Sequence, residues 1–129
     1  MNTRSASATF LILGGAFALS AIPALAGTGN TRTGENALLS LNGNNNSAFG
    51  ESALRNNTSG YDNTAVGYQS LYTNLIGYQN TATGSQSLLA NTTGNLNTAS
   101  GFDALRRNTT GGSNTATGAR SLSIPPVSI

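Results

Sequence analysis

The chain has 129 residues, six Arg and four acidic residues, a formal net charge of +2, and no His, Cys, Lys or Trp. With no Cys there is no disulfide, and with no His or Cys there is no zinc-type ligand set. A nucleophile has no histidine base beside it, and Arg106-Arg107 is the only adjacent basic pair, too little for nucleic acid. An enzyme, a cofactor and a nucleic-acid partner are therefore not expected.

Residues 1–26 read as an export signal. Met1 to Ser7 carries one positive charge, Arg4, and Phe10 to Ala21 is apolar and small. Ala24-Leu25-Ala26 supplies the small residues of a signal-peptidase site, with cleavage expected before Gly27. The apolar run is too short for a stop-transfer helix and ends near Pro23, so no integral membrane anchor is expected. The expected product is a secreted, extracellular or cell-surface chain of residues 27–129.

From there the sequence repeats. The frame Asn-(Thr/Ser)-Ala-x-Gly begins at Asn46, Asn63, Asn80, Asn97 and Asn114, every 17 residues, with a frayed copy at Asn30. With Asn as position one, position five is Gly: Gly50, Gly67, Gly84, Gly101 and Gly118. Position eight is small and position nine is Leu, at Leu38, Leu54, Leu71, Leu88, Leu105 and Leu122. Position twelve is Asn at Asn57, Asn74, Asn91 and Asn108; position fifteen is Gly at Gly60, Gly77, Gly94 and Gly111. The first copy is one residue short around Asn42 and Gly43, and the last breaks at Ile124-Pro125-Pro126.

A fixed period of this size marks a solenoid. Two Gly per repeat leave runs too short for helices. Positions two to four read as a short strand, with Ala inward and polar residues outward. Gly at position five permits a corner. Positions six to ten are expected to form a second strand, and Asn-Thr-x-Gly a turn in which Asn takes left-handed geometry and Gly closes. The expected fold is all-β: a parallel β-solenoid, or β-roll, of about six 17-residue coils. Stacking places the Asn residues in side-chain amide ladders and the Leu residues in a ridge.

Neighbours in a strand point to opposite faces. Either the Leu ridge faces out and needs a partner, or it faces in and leaves an outer strip of small residues. With one Leu and one Ala per coil the core is sparse, so self-association is expected, as a trimer or a head-to-tail fibre. The first repeat starts almost at the expected mature terminus and shows no N-terminal cap. An uncapped end is an open strand edge, while Pro125-Pro126 would blunt the other.

Asn46-Ser47-Ala48-Phe49-Gly50 and Asn63-Thr64-Ala65-Val66-Gly67 resemble the head repeats of trimeric autotransporter adhesins and repeats of bacteriophage tail-fibre shafts. The resemblance extends over nearly all of residues 30–124, with a repeat longer than is usual in those heads. It implies a left-handed parallel β-roll, three chains side by side, and attachment to a host or matrix surface. The resulting expectation is a secreted structural or adhesive protein, an attachment or fibre component. A signal peptide joined to short Asn-rich repeats also resembles curli-type subunits of amyloid-like matrix fibres. T-x-T runs such as Thr81-Ala82-Thr83 resemble the arrays of ice-binding solenoids, interrupted here by Phe49, Val66 and Ser100.

Single residues add little chemistry. Glu35 and Glu51 share position six in neighbouring coils, a carboxylate pair about one rung apart; two exposed acids near Arg32 and Arg55 is the better reading. Tyr61 and Tyr78 share position sixteen, where they could contact a surface ligand or stack on each other.

Overall fold

The computed structural model describes residues 27–39 and 42–123. The expected signal peptide and the Ile124-Pro125-Pro126 break lie outside the described residues.

The fold is an all-β solenoid. Each frame forms a three-residue strand: β1 (Thr31–Thr33), β2 (Ser47–Phe49), β3 (Thr64–Val66), β4 (Thr81–Thr83), β5 (Thr98–Ser100) and β6 (Thr115–Thr117). The six strands form one sheet in chain order, every pair parallel. Ala48 pairs with Ala65 and Ala82 with Ala99, so the 17-residue period of the sequence is the register of the sheet. Position three is buried in β2 to β6, and positions two and four face outward.

The second strand expected at positions six to ten is absent. Position seven is left-handed at Ser52, Gln69, Gln86, Asp103 and Arg120, and position nine at every Leu, with φ of 43° to 50°. Alternating handedness coils the chain back instead of extending it. The consequence is in the core: Ala53 and Leu54 are both fully buried, as are Ser70 and Leu71, and Ser87 and Leu88. Positions eight and nine therefore do not face opposite ways, because the alternation rule holds for extended backbone only. There is neither an outward Leu ridge along these coils nor an outer strip of small residues.

The coil still bonds to its neighbours without a strand there. Leu54 N–H donates to the Ser70 carbonyl (3.0 Å), and Leu71 N–H to Ser87 (3.0 Å). Asn at position twelve and Gly at position fifteen are not left-handed; the left-handed residue of that corner is position seventeen, at Asp62, Gln79, Leu96 and Ser113.

Asn30 Nδ2 donates to the Gly43 carbonyl (2.7 Å) as Asn46 Nδ2 does to Gly60 (2.9 Å). Gly43 thus occupies position fifteen, so the first coil is one residue short before it.

Candidate interaction surface

Two amide ladders run through the interior. In the first, Asn63 Nδ2 donates to Asn46 Oδ1 (3.1 Å) and to the Gly77 carbonyl (2.8 Å). Its Oδ1 accepts from the backbone N–H and the Nδ2 of Asn80, at 3.0 and 3.1 Å. All four bonding positions of the buried amide are filled. Asn80 repeats the pattern toward Asn97, and Asn114 continues it. This is why a side chain that is ordinarily exposed sits fully buried here without penalty.

The second ladder is formed by position twelve. Asn74 Nδ2 donates to Asn57 Oδ1 (2.7 Å), Asn91 to Asn74 (2.8 Å) and Asn108 to Asn91 (3.0 Å). The same amides donate to the position-fifteen carbonyl of their own coil, for example Asn74 to Gly77 (2.9 Å). Gly77 O therefore accepts from both ladders and ties positions one, twelve and fifteen together. The recurrence of Asn at position twelve is the sequence signal for this column. Asn91 is buried in it, so its amide is not presented to solvent, although Asn91-Thr92-Thr93 has the N-x-(S/T) form of a glycosylation acceptor.

The two Gly columns have different causes. Gly50, Gly67, Gly84 and Gly101 have φ between 125° and 133°, and a Cβ on any of them would meet the backbone of the next coil's Gly. Gly60, Gly77 and Gly94 have no positive φ; a Cβ there would collide with Asn amides and the next Gly carbonyl.

With the interior filled by Ala, Leu, Asn and Gly, the variable positions form columns on the outside. Position two is a run of hydroxyls, Thr31, Ser47, Thr64, Thr81, Thr98 and Thr115. Position four reads Thr33, Phe49, Val66, Thr83, Ser100 and Thr117, all exposed. Tyr61 and Tyr78 stack at a centroid separation of 4.9 Å and an interplanar angle of 2°. Their facing surfaces are occupied by each other. Gln86 Nε2 donates to Gln69 Oε1 (3.2 Å), continuing the amide theme on the surface.

Charged groups are used locally. Arg55 donates to the Tyr72 hydroxyl (3.3 Å), Arg120 lies over Phe102 (5.9 Å), and Arg106 pairs with Asp103 at 3.3 Å, the one ion pair among the described residues. Glu35 and Glu51 are exposed. Arg32 is turned away from them: its guanidinium donates to the carbonyls of Ala37 (3.3 Å) and Leu38 (3.1 Å). It stands at position three, where the other coils bury Ala. At the first coil, then, the end of the Ala column is taken by an Arg that bonds to that coil's own carbonyls. A charged residue breaking an otherwise invariant Ala column was the signal for it.

Among the described residues, no group of three or more His, Cys, Asp or Glu could hold a metal ion, and no helix is long and apolar enough to cross a membrane. Compared with protein-family profiles, curated proteins and solved structures, the chain matches none.

Proposed function

We propose that this chain is an exported structural protein of adhesive type, an attachment or fibre component whose outer columns meet a host or matrix surface. One observation carries the reading. The fixed Asn, Ala, Leu and Gly side chains of the repeat are spent on holding the coil, while the position-two hydroxyls and the side chains that vary stand outward in columns at the strand spacing of about 4.8 Å. A repeated surface of small hydroxyls with few apolar residues suits many weak contacts in register, the basis of avidity. Side-by-side association of copies belongs to the same reading. The coil at residues 63–79 exposes Val66, Tyr68, Leu75 and Ile76, the last at 52%.

The test is retention of the purified protein on immobilised polysaccharides and matrix proteins. Retention is expected on at least one, weakened by Thr81→Lys with Thr98→Lys, two exposed positions on the sheet face. If no surface holds the wild-type protein better than an inert control, the reading fails. N-terminal sequencing of the exported product, expected to begin at Gly27, checks the secretion part.

The hydroxyl column favours a second reading. Coils four to six present Thr81 and Thr83, Thr98 and Ser100, then Thr115 and Thr117, on one parallel sheet. Thermal hysteresis in a freezing assay would support ice binding over adhesion, and its absence would remove that reading.

A further inference from the structure

Each coil is complementary to the coil beside it, so an end of the stack is a template for a second copy. Within the chain this complementarity is explicit. The position-eight carbonyl accepts the position-nine N–H of the preceding coil: Ala53 from Leu38 (2.9 Å), Ser70 from Leu54 (3.0 Å) and Ala104 from Leu88 (2.9 Å). The first coil has the same carbonyl, on Ala37. It accepts from Arg32 instead (3.3 Å).

We infer that Arg32 is an end-stop: it occupies the acceptor that a second copy of this chain, stacking end to end, would need. The residue is placed for this in three respects. It stands at the inward position where Ala48, Ala65, Ala82, Ala99 and Ala116 are all buried, so its side chain lies across the end of the core column. Its stem is apolar and can cover that column, while its head carries the charge. A coil laid on top would bury the guanidinium against Ala and Leu with no acid to pair it, which strongly opposes stacking. Beside it, Thr28 is already engaged with the first coil: its N–H donates to Asn44 Oδ1 (2.9 Å), and its carbonyl accepts from Asn45 N–H (2.8 Å). The inference is independent of what the outer face binds.

The test compares wild-type protein, Arg32→Ala and Arg32→Lys, each expressed from the full sequence, by sedimentation velocity, electron microscopy and circular dichroism over a concentration series. Each is made with Pro125→Ser and Pro126→Ser as well, which removes the expected block at the opposite end, and Arg32→Ala then restores the Ala column at this one. It is expected to form particles that lengthen at constant width, in steps of about 29 Å for six rungs. Wild type and Arg32→Lys, which keep a cation there, are expected to hold one length. The inference is overturned if Arg32→Ala stays at wild-type length, if Arg32→Lys lengthens equally, or if Arg32→Ala loses its native spectrum without lengthening. The last result would make Arg32 a folding cap only.

Discussion

At the scale of single residues, the interior is held by groups whose bonding capacity is completely used. Asn80 donates to Asn63 and Gly94 and accepts twice from Asn97, all while buried. Asn80→Ala strands the partners on both sides, and a buried unsatisfied group costs about 1–3 kcal/mol. A loss of roughly 3 kcal/mol is expected in denaturant titration, comparable with Leu71→Ala at about 2–5 kcal/mol. If Asn80→Ala is neutral while Leu71→Ala is not, the ladder is incidental to stability. The glycines permit a cleaner separation. Gly67→Ala meets both a left-handed φ of 128° and a close backbone, whereas Gly77→Ala meets crowding alone. Both are expected to destabilise. The exposed Gln79, at φ 53°, is expected to gain a few tenths to about 1 kcal/mol on replacement by Gly, since a left-handed side chain costs about 1–2 kcal/mol and Gly returns part of that in entropy. A lower melting temperature for Gln79→Gly would show that the left-handed corner is not strained.

At the scale of the element, the unit is a 17-residue coil in which only three residues are strand. The rest is a chain of corners with left-handed residues at positions seven, nine and seventeen. Positions two to five were legible because Ala between hydroxyls, then Gly, has one economical reading. Positions six to ten were not. Leu carries no local preference for left-handed geometry, which costs about 1–2 kcal/mol per residue. The geometry is accepted because it puts Leu and its small neighbour inside together, and full burial of a Leu contributes about 1.5–3 kcal/mol. That balance depends on the neighbouring coils, so no window within one repeat displays it. The core is correspondingly denser than one inward residue per strand would give.

At the scale of the whole molecule, coils bond to adjacent coils, as in other solenoids, so stability is close to a sum of coil and interface contributions. Removing residues 80–96, one period, brings Asn97 next to Asn63 with every column in register. The shortened protein is expected to fold with a melting temperature lower by roughly 5–10 °C. Removing residues 80–87, half a coil, shifts every inward position and is expected to abolish the native circular dichroism spectrum. Equal outcomes for the two deletions would contradict the columnar account. The first coil already tolerates one missing residue, because Gly43 still meets Asn30 and the ladder resumes.

The sequence by itself determined the period, the parallel stacking and the identity of the columns. Superposition of equal residues follows from translation by one coil, and translation is visible as spacing. Only the tertiary structure decided where those columns point. Left-handed backbone turned position nine inward beside position eight, and an acceptor with no preceding coil among the described residues drew Arg32 across the end of the core. The first depends on contacts between neighbouring coils, of which residue spacing carries no record; the second is a bond within the first coil, marked in the sequence only by an Arg in the Ala column.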